Sequence, residues 1–349
     1  MLGRVFAQSP PPDVAPVPPG AVAPGAPPGG TSTDLHVAFI GDAGVGDSHQ
    51  RRVRDQMIKD GPNWVFLLGD NIYSEGDRRY FGPRYDDVYG PLMQKGTVFH
   101  AALGNHDVEG CDATPLNPLP ADARAYVADG LRCNARYHLA HTSFGYVRNL
   151  RYYSVPLPAV NPLAEVFVLD SNTLRTSQSK LLLREDTAQV QWLDQALGAS
   201  KARWKIAIMH HPPHSPTTGA KYFFFVPIGG GRTREFQLDQ QIGPILQKHR
   251  VDVVFAGHNH FYARMAPQGG IRYFVSGGGG RKTYGFEGDP SYVLAGGDYY
   301  HFVSVRMTPS TFAYRTIDED GRVRDSGYFA KGDVADRPLP QGGVPAGGS

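Results

Sequence analysis

Cysteine is scarce: two residues, Cys111 and Cys133, in a chain of 349. A metal site built from thiolates alone is therefore excluded. Both lie in one stretch between core elements, where an exported protein would close them into a disulfide and a cytosolic one would keep two free thiols. An excess of charge is missing too. Lys and Arg number 35 against 33 Asp and Glu, a net +2 with a pI near 8.4, so no broad basic field implies nucleic acid as a partner. No apolar run approaches the roughly 20 residues that cross a bilayer as a helix, so no transmembrane helix is expected.

What is present can bury a large core, 41% hydrophobic over 349 residues, as a soluble globular protein. The ends cannot. From Ser9 to Thr33 the chain is mostly Pro, Gly and Ala, and Arg337 to Ser349 is similar, without the periodic apolar positions of a fold. The expected division is a disordered leader over 1–33, one folded domain over 34–331 and a flexible tail over 332–349. Val5-Phe6-Ala7 before Gln8-Ser9 offers small residues where a signal peptidase cuts, while Leu2 to Phe6 is short for an apolar h-region. A Met1 internal to a longer signal peptide would make the protein periplasmic or secreted; otherwise it is cytoplasmic.

The domain is organised around Trp64-Val65-Phe66-Leu67 and the polar turn Leu68-Gly69-Asp70-Asn71-Ile72-Tyr73 behind it. A short apolar run bounded by Gly-Pro-Asn and Gly-Asp-Asn reads as a strand buried on both faces. The pattern recurs. Leu35 to Ile40 ends in Gly41-Asp42-Ala43-Gly44, and Val98 to Leu103 in Gly104-Asn105-His106-Asp107. Lys205 to Met209 ends in His210-His211-Pro212-Pro213-His214, and Val251 to Ala256 in Gly257-His258-Asn259-His260. Between the first two strands, Val53, Met57 and Ile58 recur at helical spacing, with Ser48 as N-cap and Gly61-Pro62 as stop. Right-handed crossover makes those strands parallel and puts Asp42 and Asp70 at one edge. Tyr80 to Tyr89 reads as an irregular or helical connection, Arg151 to Val155 and Glu165 to Asp170 as strands, and Thr187 to Leu197 and Glu235 to His249 as helices. The last strands, Ile271 to Ser276, Tyr300 to Met307, Thr311 to Ile317 and Val323 to Tyr328, suggest a second, more antiparallel sheet packed on the first.

In open α/β sheets ligands bind beyond the carboxyl ends of the strands. Asp42, Asp70, Asn105, His210, His258 and His260 can converge there. Oxygen and imidazole donors without thiolate suit Mn, Fe, Zn or a mixed pair, and their number exceeds one ion's need. Asp70 is the expected bridge, since a carboxylate has two oxygens and ions so joined lie roughly 3.5–4 Å apart, as phosphate-ester hydrolysis uses them. His106 is the expected general acid, because Asn105 takes the neighbouring ligand position. Each residue alone has a plainer reading: a strand-end Asp caps a turn, Tyr73 packs in a core, Asn105 sits in a turn.

The five ordered strand-end clusters resemble the calcineurin-like metallophosphoesterases over roughly Val37 to Tyr262. Gly69 to Tyr73 narrows the likeness to the purple acid phosphatases, with Gly44 and Tyr73 in that family's places, and Ala38 to Asp107 most resembles the small, tartrate-resistant type. The resemblance implies a four-layer αββα sandwich of two mixed sheets flanked by helices. It implies one metal held by Asp42, Asp70, Tyr73 and His260, and a second held by Asp70, Asn105, His210 and His258. Fe(III) would sit at the Tyr73 phenolate, and Fe(II), Zn or Mn at the other site. The implied activity is that of a phosphomonoesterase. A hydroxide on the metals attacks phosphorus in line, His106 protonates the leaving alkoxide, and Asp107 orients His106 and holds its proton.

The chain departs from the family in places. Its Val-x-x-His pattern is met by Ala207 with His210 or by Ile208 with His211, and His210, the first of the pair, is the preferred ligand. Thr217-Thr218-Gly219-Ala220 stands where the family often has a substrate-facing His, which leaves His211 and His214 as the candidate substrate contacts. Two rivals remain: a phosphodiesterase on the same site, and a catalytically silent scaffold on the same fold. His36, His49, His100, His138, His141, His249 and His301 fit no motif and read as surface or packed residues. Gly277 to Gly280, before Arg281-Lys282, either cradles phosphate on backbone amides or turns tightly into the next strand. Tyr222 to Phe225 either shapes a pocket or anchors its loop.

Overall fold

The computed structural model describes residues 34–108, 138, 151–174, 186–216, 222–223, 226–227, 232–286 and 292–340. The expected leader and both cysteines lie outside the described residues.

Strands β1 (Leu35–Ile40), β2 (Trp64–Leu67) and β3 (Val98–Ala101) lie side by side and parallel. Every residue of β1 is buried, as a continuous apolar run requires of a strand covered on both faces. Helix α1 (Ser48–Asp60) connects β1 to β2 and ends at Gly61 in the left-handed conformation. Its N-cap is Asp47 rather than the expected Ser48. The Asp47 carboxylate accepts the Gln50 N–H at 2.9 Å, and Ser48 is already helical. A carboxylate there also meets the positive end of the helix. Between β2 and β3 come a 3₁₀ turn (Arg78–Tyr80), a π turn (Gly82–Asp86) and α2 (Asp87–Met93).

The chain then forms β4 (Tyr153–Leu157), β5 (Ala164–Val168), α3 (Thr187–Ala199) and β6 (Trp204–Met209). Two short strands, β7 (Tyr222–Phe223) and β8 (Val226–Pro227), pair with each other before α4 (Arg232–Lys248). Next come β9 (Val253–Ala256), β10 (Tyr262–Met265), β11 (Arg272–Ser276), β12 (Val293–Gly297), β13 (His301–Met307), β14 (Thr311–Asp318) and β15 (Val323–Ala330). One sheet has the order β15-β14-β13-β1-β2-β3 and the other β12-β10-β11-β9-β6-β5-β4.

The late strands therefore do not make a sheet of their own, as their sequence order suggests. β11 joins β9 in parallel, while β13 pairs antiparallel with β1 and so covers the open edge of a short parallel sheet. β10 and β12 escape pattern reading because one follows the His260 turn directly and the other, Val293–Gly297, is half-exposed with two glycines.

Between the sheets, Phe39 stacks on Phe255 with ring centres 4.0 Å apart, within a core that includes Phe66, Trp204, Phe274 and Tyr314. Burying each such side chain contributes about 2–3 kcal/mol. A second apolar layer lies where α1 and α2 cover the β1 sheet, and a third where α3 and α4 cover the β6 sheet. The architecture is thus an α/β sandwich of two mixed sheets flanked by helices. Packing continues past residue 331, where the tail is expected to start. Asp336 accepts from Arg272 at 2.5 Å and from the Tyr314 hydroxyl at 2.8 Å, and Arg337 and Tyr328 exchange backbone hydrogen bonds. No helix among the described residues is long and apolar enough to cross a membrane.

Candidate metal centre

The parallel strands β1, β2 and β3 deliver Asp42, Asp70 and Asn105 to one end of the first sheet, and β6 and β9 deliver His210, His258 and His260 to the facing end of the second. Backbone bonds join these turns: Asp42 N–H to the Gly69 carbonyl at 3.1 Å, and Gly257 N–H to the His210 carbonyl at 3.0 Å. Glycine permits the approach. A Cβ on Gly104 would stand 2.1 Å from the Asp70 nitrogen, and one on Gly44 2.0 Å from the Asn71 oxygen. Asp42, Asp70 and His258 hold φ of 57°, 51° and 69°, left-handed conformations that cost about 1–3 kcal/mol each and concentrate at functional turns.

Two clusters share Asp70. In the first, the Tyr73 hydroxyl lies 2.9 Å from Asp42 Oδ1, 2.9 Å from Asp70 Oδ2 and 3.1 Å from His260 Nε2. One phenolic proton cannot serve both carboxylates. In the second, His210 Nε2 lies 3.0 Å from Asn105 Oδ1, 3.2 Å from His258 Nδ1 and 3.3 Å from Asp70 Oδ1. His210 donates Nδ1–H to the Leu68 carbonyl at 2.9 Å, and His260 donates its own to the Lys282 carbonyl at 3.0 Å. Each neutral ring therefore turns its Nε2 lone pair inward, the arrangement metal-ligating histidines share.

The electrostatics fit cations. Asp42 and Asp70 are buried, and among the described residues their ion-pair partners are histidines. Buried carboxylates among converging lone pairs require positive charge. Burial, with Asp42 and Asp70 beside it, pushes the Tyr73 phenol well above its usual range. Against the effect of burial, His210 and His106 hold Asp70 below the usual carboxylate range, and Asp70 and Asp42 push His210 up to about 9. Burial and the neighbouring His210 push His258 down to about 3. Donor atoms of Asp42, Asp70 and His210, and separately of His210, His211 and His258, lie within 4.8 Å of one another. The residues form a binuclear metal-binding site.

His106 borders this site and is 31% exposed at its side chain. Its backbone N–H donates to Asp70 Oδ1 at 2.9 Å, its Nδ1 bonds the Ser74 carbonyl, and its Nε2 stands 4.0 Å from Asp70 Oδ2. Asp107 does not orient this imidazole, contrary to expectation. It points inward and accepts from Asn71 N at 2.8 Å, Asn71 Nδ2 at 2.9 Å, Ile72 N at 3.1 Å and Gly104 N at 2.8 Å, with His138 Nε2 at 3.5 Å. Four donors from the turns after β2 and β3 outweigh one exposed ring. Asp107 thereby clamps the turn of Asp70 to that of Asn105.

His210 Nε2 lies among the donor atoms of Asp70, Asn105 and His258, and His211 shares a donor cluster with His210 and His258, 2.9 Å from Ser171 Oγ and with its ring 4.6 Å from that of His258. His214 is not brought to the site. It pairs with Asp239 of α4 at 3.0 Å and packs on Tyr273, in the apolar layer outside the second sheet. Pro212 and Pro213 turn the chain between them. The amides of Gly277, Gly279 and Arg281 donate to the carbonyls of Phe261, Gly41 and Asp42, so this glycine run serves as a turn. Of the histidines outside the motifs, His36, His49 and His249 pair with Asp60, Glu319 and Asp194. Sequence reasoning passed over Asn71, whose amide bridges Asp107 and the Ala102 carbonyl. Its place beside Asp70 was the available signal.

A family model described as calcineurin-like phosphoesterase matches residues 35–262. Purple acid phosphatase 3 of Arabidopsis thaliana is 28% identical over 278 residues, 75% of this chain and 68% of its own length. Tartrate-resistant acid phosphatase type 5 of Sus scrofa is 22% identical over 63% of this chain and 59% of its own. Plant and mammalian kinds thus both match, without preference between them. In fold, the chain is similar to a purple acid phosphatase from yellow lupin (Lupinus luteus) seeds, with a TM-score of 0.63 at 19% identity, over 90% of this chain and 57% of the lupin one. The matched span runs from the first residue of β1 to the turn carrying His260, and so contains both donor clusters: the chain belongs to the calcineurin-like phosphoesterase family.

Proposed function

We propose that the protein is a binuclear-metal phosphomonoesterase of the purple acid phosphatase kind, nearest the small tartrate-resistant type over residues 38–107, with 34–331 as its catalytic unit. One observation carries this reading: Asp70 turns Oδ2 toward Tyr73 and Oδ1 toward His210, one oxygen to each cluster. Asp42, Asp70, Tyr73 and His260 would hold one ion, and Asp70, Asn105, His210 and His258 the other. The hard phenolate favours Fe(III) at the first site, with Fe(II), Zn or Mn at the second. Bound there, the ions neutralise the phosphate and lower the pKa of water for attack on phosphorus.

The chain's own residues supply position and protons. With Nδ1–H of His106 engaged by the Ser74 carbonyl, the proton this ring can release lies on Nε2 of the imidazolium, on the side facing Asp70. There it passes to the leaving alkoxide. His211 supports His258 from behind. Small residues where a signal peptidase cuts, Ala7 and Ser9, support a periplasmic or secreted location.

Protein reconstituted with iron and with zinc or manganese should contain two ions per chain and hydrolyse an aryl phosphate faster than its bis-aryl diester. Asp70→Asn is expected to lose both ions and about 10³-fold or more in kcat/KM. One ion per chain would sink the reading, and a faster diester rate would turn it into a phosphodiesterase.

A further inference from the structure

Nδ1 of His106 bonds the carbonyl of Ser74, so this imidazole points where the segment 73–76 sets that carbonyl. Three kinds of contact fix the segment. Tyr73 N–H donates to the Gly44 carbonyl at 2.8 Å, and Gly76 N–H to the Ile72 carbonyl at 3.0 Å. Gly76, at φ 66°, lies against the backbone of 106–107, where a Cβ would stand 2.9 Å from the Asp107 carbonyl oxygen and 3.0 Å from that of His106. The third contact is a side chain. The Arg84 guanidinium donates to the Tyr73 carbonyl, one residue before Ser74.

Arg84 is itself held at both ends. Its guanidinium carbon lies 3.8 Å from the centre of the Tyr80 ring, a stacking that suits a planar, delocalised cation. Its backbone carbonyl accepts from Nε2 of Gln50 at 2.9 Å, and Oε1 of Gln50 accepts from Gly46 N–H at 2.6 Å. Gln50 is buried on α1, so its amide joins the π turn to the turn that begins at Asp42. An arginine fixed in this way loses little further freedom in holding a carbonyl. The contacts use no donor atom of the two metal clusters.

We infer that Arg84 is a positioning residue for leaving-group protonation: it fixes the Tyr73–Ser74 backbone, and the Ser74 carbonyl in turn aims Nε2 of His106. This rests on the phosphatase reading above. As the bond from phosphorus to the leaving oxygen breaks, its electron pair goes to that oxygen, which takes the Nε2 proton. The ring is left neutral with Nδ1–H still on the Ser74 carbonyl, and solvent restores the proton. A misaimed ring costs most where the leaving oxygen is most basic. An alkoxide needs the proton, whereas a nitrophenolate departs without it.

Arg84→Met keeps the apolar stem over Tyr80 and removes the N–H donors. On the metal-loaded protein it should lower kcat for an alkyl phosphate about tenfold or more, and for a nitrophenyl phosphate less than about threefold. Both KM values and the metal content should stay as they are. Arg84→Lys should recover part of the loss, and in the His106→Ala protein the change at Arg84 should have no further effect. Equal losses on the two substrates, loss of metal, or an added loss in the double variant overturn the proposal, since Arg84 would then brace the ligand turn as a whole. If the metal-loaded wild type hydrolyses neither compound, the phosphatase reading fails and the His106 ring decides. Its ring-nitrogen NMR signals in zinc-loaded protein, assigned against His106→Ala, should shift in Arg84→Met, and unchanged signals reject the role of Arg84.

Discussion

The Tyr73 hydroxyl faces two carboxylates and an imidazole with a single proton to share. A cation would resolve that conflict, and Tyr73→Phe tests it: with iron loaded, any phenolate-to-iron absorption in the visible should vanish, and a band left unchanged would reject the proposed ligand role. His106 stands apart from the donor sets. His106→Ala should keep both ions and lower kcat about 10²–10⁴-fold; loss of metal on elemental analysis would make it a ligand instead. Asp107→Ala should behave differently, because four N–H groups lose their acceptor. We expect a loss on the order of 3 kcal/mol in denaturant unfolding, together with metal content. Adjacency in sequence suggested the opposite pairing. Residues 106 and 107 are neighbours along the chain, but their side chains leave the turn in different directions.

At the level of elements, the five turns that carry the candidate donors were readable because each closes an apolar run, and a strand buried on both faces leaves polar groups nowhere to go but its end. The glycines in those turns follow from close approach. Gly104→Ala would drive a Cβ into the Asp70 amide, 2.1 Å away, and should cost metal affinity without any donor being removed, as metal titration can show. The start of α1 was less readable, since Asp47 and Ser48 are both good caps. Asp47→Ala should cost about 1 kcal/mol, visible in the unfolding midpoint, and Ser48→Ala less. His214 shows the same limit: position beside His210 did not reveal that two prolines carry it toward α4.

For the whole molecule, what mattered was which strands share a sheet. His301, at the start of β13, donates Nδ1–H to the Tyr299 carbonyl at 2.9 Å and lies 3.1 Å from Ser276 Oγ of β11, so it links the two sheets. Burial pushes its imidazole down to about 4. The unfolded chain, titrating near 6.5, thus takes up the proton first. The sign follows: His301 costs nothing above pH 6.5, and stability falls as pH drops from 6.5 through 4, by about 2–3 kcal/mol at pH 4.5. Denaturant midpoints at pH 7 and 4.5 should show this fall, reduced in His301→Gln.

Sequence alone determined the strand-end donors, their order along the chain and the buried character of the strands that carry them. These are local properties, set by composition over four to eight residues and by the short reach from a strand to its turn. Tertiary structure decided that β11 joins β9 while β13 covers β1, that Asp107 clamps Asn71, that Asp336 holds the tail to Arg272, and that Arg84 meets the Tyr73 carbonyl. Each of these pairs residues far apart along the chain or side chains whose direction a turn sets, and a local pattern carries no information about either.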